Sequence, residues 1–382
     1  MRVVICGGGV IGACLAYFLA RRGLKPIVVE RAGVACAASG KSGGFLARDW
    51  CDGTPLERLA RRSFALHASL AEELHDDWGY RRMTTYAGYG GSELRGAAGR
   101  HRLPWLSEGV ILTDRLGTPE TTAQVDPGRF TRAMMRAAAA HGAELRRAAV
   151  TGIARRDGNG AAVETDEGAI PTDTVVIAMG PWSRLAAEWL PLPPVYGLKG
   201  HSLVFETGSR LPPEALFIEV QESSGARSSP EVFPRADGTT YVCAISSESP
   251  VPLDPAAVTP DPGAIERLEA ICRALSPVLA ESPILARQAC YRPVTAHGLP
   301  LIGPVPGVAG AFVATGHSVW GILNSPATGE ALAELIVDGA ARTGGVCART
   351  CERHPRRAVA RSGIFMRSSV ERSRIAAARL PG

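Results

Sequence analysis

No apolar run in the 382 residues approaches the roughly 18 needed to cross a membrane as a helix, which excludes a transmembrane span as the organising element. Charge of one sign is missing from most of the chain. The formal net charge is +5, but nine arginines against Glu352 and Glu371 make residues 343–382 strongly basic and leave the preceding body slightly acidic. The body therefore offers no charge argument for nucleic acid. A metal-ligand cluster is lacking too: Cys347, Cys351 and His354 have loosely zinc-like spacing but no fourth ligand, and coincidence is the better account. The other cysteines are scattered among apolar neighbours, as at Cys6, Cys14 and Cys243, and read as buried reduced thiols in a reducing, cytoplasmic compartment. The chain starts on an apolar strand, so no targeting segment is expected within it.

What is present is concentrated at the start. Val3-Val4-Ile5 is a β-branched run suited to a buried parallel strand, and Gly7, Gly9 and Gly12 then fit G-x-G-x-x-G. The first glycine permits a tight turn, the second lets backbone approach a pyrophosphate, and the third lets a helix pack closely on the strand. Residues 13–22 read as that helix, with Leu15, Phe18 and Leu19 on one side and Gly23 as its stop. A second strand, 26–30, ends in Glu30, whose carboxylate can accept hydrogen bonds from ribose hydroxyls and disfavours a 2′-phosphate. These features point to FAD or NAD rather than NADP. The small residues of Ala37-Ala38-Ser39-Gly40-Lys41-Ser42-Gly43-Gly44 follow, where a flavin-sized group would extend from its pyrophosphate.

Further along, Thr54-Pro55-Leu56-Glu57 has the form of a capping box opening a helix that reaches about Trp78, with His67 and His75 as solvated helix residues. Asp126-Pro127 caps another helix, stopped by Gly142. Short strands follow over 144–153, 161–165 and 169–171, with Asp157-Gly158-Asn159-Gly160 as a turn. Residues 173–180 form a buried strand ending in glycine. The segments 195–206, 216–220, 231–234 and 240–246 are strands of a mostly antiparallel sheet, crossed by a helix over 262–275, with 284–291 leading back. A last strand ends at Gly316, and a helix near Pro326 runs to Val337.

Taken together, Gly7 to Gly12, Val125 to Phe130, Val175 to Trp182, His297-Gly298-Leu299-Pro300 and Thr315 to Gly321 resemble the D-amino-acid oxidase, glycine oxidase and sarcosine oxidase group of FAD-dependent oxidoreductases. Residues 40–53 look closest to a little-characterised plant, algal and fungal branch of that group. The resemblance implies an α/β fold: a Rossmann-like FAD-binding domain over 1–82, 125–196 and 286–342, a mixed or antiparallel β substrate domain over 83–124 and 197–285, and a basic, disordered tail over 343–382. It implies oxidation of the C–N bond of a small amine or amino acid by hydride transfer to flavin N5, with oxygen or another acceptor reoxidising the ring. Carried over by position, Gly7, Gly9 and Gly12 take the pyrophosphate and Glu30 the ribose. Ser39, Gly40, Lys41, Ser42, Gly43 and Gly44 line the flavin side. Val150, in the strand after the capped helix, meets the adenine through its backbone, and Gly180 sits by the dinucleotide. Gly316, His317, Trp320, Gly321, Ile322 and Leu323 run along the isoalloxazine, and the helix near Pro326 stabilises negative charge on the reduced ring. Arg292 matches the arginine that grips the substrate carboxylate, and with His317 and Trp320 makes up the expected catalytic set.

Cys290 falls where monomeric sarcosine oxidases attach FAD through a thioether; a small core residue with non-covalent FAD is the competing reading. His297 departs from the aspartate of many relatives, and the tail departs altogether. Two other functions stay open from sequence: an NAD-dependent dehydrogenase, which leaves the Gly316 block without a role, and a flavoprotein with a non-enzymatic trafficking or regulatory role, with the tail as partner element.

Overall fold

The computed structural model describes residues 1–342 apart from 95, 97–98, 157–158 and 223–224. The basic stretch from 343, its Cys347, Cys351 and His354, and the tip of the Asp157–Gly160 turn lie outside the described residues.

The first sheet has five parallel strands in the order β20-β12-β1-β2-β8: β1 (Val3–Cys6), β2 (Ile27–Glu30), β8 (Glu144–Arg147), β12 (Thr174–Ile177) and β20 (Ala311–Thr315). β19 (Leu301–Pro304) is antiparallel on the β20 edge. β1 and β12 are buried at every residue, as continuous apolar runs covered on both faces should be. α1 (Val10–Ala20) follows β1 directly. It is buried all round except at Ile11, because α4 (Pro127–Ala140) and α7 (Gly321–Asp338) flank it. An apolar stripe on one side, the sequence expectation, is thus too narrow a description. Gly23, at φ +81°, turns the chain out as expected. α4 starts as expected, with Asp126 Oδ1 accepting from the Arg129 N–H at 2.7 Å and Pro127 in the first turn.

The second sheet has eight strands: β5 (Thr84–Gly90), β6 (Val110–Gly117), β13 (Val195–Glu206), β14 (Glu214–Gln221), β15 (Arg227–Ser228), β16 (Glu231–Pro234), β17 (Thr239–Ser247) and β18 (Ile284–Thr295). The path is β18-β13-β17-β16-β14-β5-β6, with β15 on β14, and only the β14–β5 pair is parallel. β18 pairs with β13 along its length, although the sequence assigns residues from 286 to the nucleotide-binding unit. Period-2 alternation divides the faces. Leu203, Phe205 and Val242 pack against Leu268, Ile271 and Leu275 of α5 (Ala264–Leu275), with α6 (Pro277–Glu281) beside it. Val204, Phe233, Tyr241 and Cys243 lie on the other face. Two small sheets complete the fold: β9 (Val150–Arg156), β10 (Asn159–Thr165) and β11 (Gly168–Pro171), and β3 (Phe45–Ala47), β4 (Arg81–Arg82) and β7 (Thr122–Gln124). Among the described residues no helix is long and apolar enough to cross a membrane.

α3 (Glu57–Glu73) and α7 correct several sequence expectations. α3 starts at Glu57 and stops at Glu73, short of Trp78. Thr54 Oγ1 accepts from the Leu56 N–H at 3.2 Å while the Glu57 carboxylate accepts from the Gly53 N–H at 2.9 Å, so the reciprocal cap sits one residue off the capping-box pattern. α7 begins at Gly321, not Pro326, and takes the proline inside itself. Proline has no N–H for the Ile322 carbonyl four residues back. His67 repairs the break: its Nε2 lies 3.0 Å from Ile322 O and 3.2 Å from Leu323 O, and the Ala327 N–H donates instead to Ser63 Oγ at 3.1 Å. Ser63 and His67 are four apart on α3 and share a face. His67 is therefore fully buried, not solvated, whereas His75 is exposed just beyond the helix.

Burial pulls the His67 pKa down to about 4. Between its ordinary value and pH 4 the unfolded chain holds a proton that the folded chain lacks, so this contribution to stability is lost as pH falls through that window. His67→Gln keeps an N–H donor and removes the titration. The unfolding free energy of wild type minus that of the variant, from urea titrations, is expected to fall by about 2 kcal/mol between about pH 7 and pH 5, and a constant difference would contradict a neutral buried His67. α1 and α7 approach backbone to backbone at Gly329, where a Cβ would sit 2.7 Å from Cys14 C and 2.8 Å from Leu15 N. Helix propensity favours alanine there by about 1 kcal/mol. The backbone it meets cannot rotate aside, so Gly329→Ala should lose about 1–3 kcal/mol by the same assay rather than gain.

Candidate active site

One large cavity lies between the carboxyl edge of the parallel sheet and the inner face of the eight-stranded sheet. Its empty space is ≈ 1660 Å³, including the part open to solvent. Gly7, Gly9, Val10 and Ile11 form one wall, where the N-terminus of α1 turns its first amides outward. Gly7 has φ +116°, and a Cβ on it would strike Ala178 O, so the turn admits no other residue without strain. Ser39, at the start of α2 (Ala38–Lys41), accepts from the Val10 N–H at 2.9 Å and ties the next loop to α1.

Glu30 borders the same wall. One of its oxygens accepts from the Gly8 N–H at 2.7 Å, the other from the Ala32 and Gly33 N–H groups at 2.9 and 3.2 Å. The carboxylate thus orders the chain after β2 and still has lone pairs for a ligand hydroxyl. Val150 lines this end, at the start of β9 and not in the strand that directly follows α4, which is β8. Gly180 and Met179 line the middle, and Gly321 and Ile322, the first residues of α7, line the far end.

The roof is the inner face of the second sheet. Cys290 and Arg292 of β18, Gly200 of β13, Tyr241 and Cys243 of β17, and Glu231 of β16 all open on the cavity. The Arg292 guanidinium lies over Gly200, where a Cβ would come within 3.0 Å of Nη2. Among the described residues no hydrogen bond or ion pair to this guanidinium is found. Desolvation holds the Cys290 and Cys243 thiols protonated by pushing both up, which makes them poor nucleophiles. His317 is buried with Nε2 3.2 Å from Thr328 Oγ1, and desolvation pulls it down to about 3, so it lines the cavity as a neutral ring. Among the described residues the buried Oγ of Ser42, a residue lining the cavity, has no hydrogen-bond partner.

Of the residues expected from sequence, Gly7, Gly9, Glu30, Ser39, Ser42, Gly43, Val150, Gly180, Cys290, Arg292, His317, Gly321 and Ile322 meet at this cavity. Gly12, Gly40, Lys41, Gly44, Gly316, Trp320 and Leu323 do not line it. Gly12, Gly40 and Gly44 press on the carbonyls of Gly7, Ala35 and Val125, and Gly316 on the Thr295 methyl. Lys41 reaches back to Ala289 O at 3.4 Å, and Leu323 is core. The Trp320 indole stands edge-on to Trp50, 6.3 Å between ring centroids. Sequence reasoning missed Glu231, Tyr241 and Cys243. Their one signal was alternation: a lone acid at the head of the apolar strand Glu-Val-Phe-Pro, and a Tyr-x-Cys pair two apart on its neighbour. Among the described residues no group of three or more His, Cys, Asp or Glu side chains converges as a metal site.

A family model described as FAD dependent oxidoreductase, DAO, matches residues 2–335. The glycine oxidase of Geobacillus kaustophilus is 28% identical over 370 aligned residues, covering 87% of this chain and 92% of that protein. A Schizosaccharomyces pombe protein named only as an oxidoreductase is 29% identical over 370 residues, covering 88% and 94%. The crystal structure of the G. kaustophilus glycine oxidase superposes with a TM-score of 0.77 at 26% identity, over 93% of this chain and 100% of that one. The L-proline dehydrogenase of P. horikoshii shares the fold at a TM-score of 0.73 and 21% identity, over 90% and 95%. A glycine turn opening α1 beneath the cavity, on a chain matched from residue 2 to residue 335, has one assignment: the chain belongs to the DAO family of FAD-dependent oxidoreductases.

Proposed function

We propose that this chain oxidises the C–N bond of a small amino acid or amine whose carboxylate is held by Arg292. The observation that carries the reading is a guanidinium set in a cavity wall, over a glycine that gives it room, with no hydrogen bond or ion pair to it among the described residues. A planar, always-charged fork is suited to bidentate grip of a carboxylate. Similarity to glycine oxidases supports a small amino acid as substrate. The nicotinamide alternative falls with the family match.

The residues present fit FAD. The glycine turn at Gly7 and Gly9 and the first turn of α1 beyond Val10, whose own N–H goes to Ser39, would hold the pyrophosphate, Glu30 a ribose hydroxyl, and the Val150 backbone the adenine. Ser39, Ser42 and Gly43 would line the flavin side, where the unpartnered Ser42 hydroxyl is available as a hydrogen-bond partner. The first turn of α7, at Gly321 and Ile322, turns a helix N-terminus to the same end of the cavity and favours negative charge there. When bound, FAD supplies the two-electron oxidation. The chain's own residues would orient the substrate: Arg292 fixes one end, and the neutral His317 and the protonated thiols of Cys243 and Cys290 add no competing charge. Those protonated thiols also favour non-covalent FAD over a thioether at Cys290.

The purified protein should show the two-band yellow flavin spectrum, and acid precipitation should leave the colour in the supernatant. Colour retained in the pellet would assign a covalent link, to be tested with Cys290→Ser, and a colourless protein that takes up no FAD would refute the reading. With glycine as substrate, Arg292→Met should raise KM roughly 100-fold, the scale of charge-assisted hydrogen bonds lost. Gly200→Ala, whose methyl meets Arg292 Nη2, should raise KM about 10-fold with an unchanged flavin spectrum. Unchanged KM in both variants would place the substrate elsewhere.

A further inference from the structure

The roof of the cavity carries a second charge that the proposed grip on a carboxylate does not use. Glu231 opens β16, half-buried, with its open side on the cavity. In the strand register it stands opposite Cys243 of β17, whose thiol donates to Oε2 at 3.6 Å. A thiol is a weak donor. Among the described residues no other hydrogen bond and no ion pair to this carboxylate is found. Leaving a half-buried carboxylate with one weak donor is costly, so a site that retains it has a use for its lone pairs.

The geometry places Glu231 opposite Arg292. Arg292 starts on β18 and its guanidinium lies over Gly200 on β13; Glu231 starts on β16 and its carboxylate turns to Cys243 on β17. β13 and β17 are adjacent strands, about 4.8 Å apart. Gly200 pairs with Ser246 and Cys243 with Ser202, so the two groups face the cavity from neighbouring strands with an offset along them, close enough to interact electrostatically yet without an ion pair between them. That arrangement complements a short dipolar ligand. A carboxylate on Arg292 leaves the ligand's adjacent amino group beside Glu231.

We propose that Glu231 accepts a hydrogen bond from the substrate's amino group, and that the pair Arg292 and Glu231 selects short zwitterionic amino acids over monocarboxylates of the same shape. The inference rests on the reading of Arg292 as the carboxylate site. It makes Glu231 a specificity-determining residue. A bare carboxylate at Arg292 leaves Glu231 unpaired and repelled, whereas an amino acid satisfies both. Tyr241, Cys243 and Cys290 complete the roof without a third formal charge, since burial pushes all three up and keeps them protonated.

The test is equilibrium binding to the FAD-loaded protein of two ligands that cannot be oxidised at a Cα–H bond: 2-aminoisobutyrate, and pivalate, in which a methyl replaces the amino group. Perturbation of the flavin absorption reports each. Wild type is expected to bind the amino acid about 10-fold or more tightly than pivalate, the scale of a charge-assisted hydrogen bond. Glu231→Gln should weaken 2-aminoisobutyrate by about 10-fold and leave pivalate equal or tighter. Equal binding of the two ligands by wild type would overturn the role of Glu231 while sparing that of Arg292, and it needs no variant to fold. Parallel weakening of both ligands in Glu231→Gln would assign the residue a structural role instead. Failure of wild type to bind either ligand would remove the carboxylate site itself, and the proposal with it.

Discussion

Parallel strands cannot be joined by tight turns, so each of the five in the first sheet needs a crossover, and their carboxyl ends collect at one edge. Everything functional in this chain hangs on that constraint. β1 ends at Gly7 and feeds α1; β20 ends at Thr315 and leads through residues 316–320 into α7. Both helices therefore start at the same edge and turn their unsatisfied amides toward one cavity. The close approach of α1 and α7 at Gly329 fixes the two starts relative to each other. Two helix N-termini separated by one strand, β12, form an elongated anion-tolerant wall rather than a single phosphate site, which is the shape a dinucleotide requires.

A wall of amides binds; it does not choose. Choice comes from the second sheet, which meets the first unit where Gly43 presses on the rings of Phe233 and Tyr241. The contact is stiffened by Arg235, whose Nη2 donates to Ser42 O at 3.0 Å and whose Nη1 lies 3.5 Å from Asp126 Oδ2. Asp126 is also the N-cap of α4. One half-buried carboxylate thus joins the helix that packs on α1 to the arginine that holds the loop under the roof. The coupling explains how residues on β16, β17 and β18, far apart in sequence, keep register with a cavity built by β1 and β2.

Legibility in the sequence followed periodicity and covalent constraint. The Gly7–Gly12 turn, the Asp126-Pro127 cap and the strands 195–206 and 231–234 were readable because local chemistry decides them. The start of α7 was not. Proline is common in a first turn, so Pro326 looked like a beginning, and only tertiary contacts from Ser63 and His67 make it tolerable five residues in. His67 was misread for the same reason: nothing local separates a solvated histidine from one repairing a neighbouring helix. Gly12 packs its helix closely on the strand, as the motif implies, but Gly40, Gly44 and Gly316 serve close packing too, and composition alone cannot tell a cradle from a contact. Glu231 stayed invisible because sheet order, not sequence order, brings β16 near β18.

The neutral histidine and thiols of the cavity give the remaining step of the argument. A desolvated site strengthens every charge within it. If His317, Cys243 or Cys290 ionised near neutral pH, the field at the roof would change with small shifts in pH, and a zwitterion would be held differently at each. Burial prevents this: it drives His317 to about 3 and the thiols upward, away from neutrality in opposite directions. Among the described residues the formal charges left facing a ligand from the roof are those of Arg292 on β18 and Glu231 on β16, two strands of one sheet with β13 and β17 between them. Their separation is set by backbone hydrogen bonds rather than by loops, so the polarity of the site is a property of the fold.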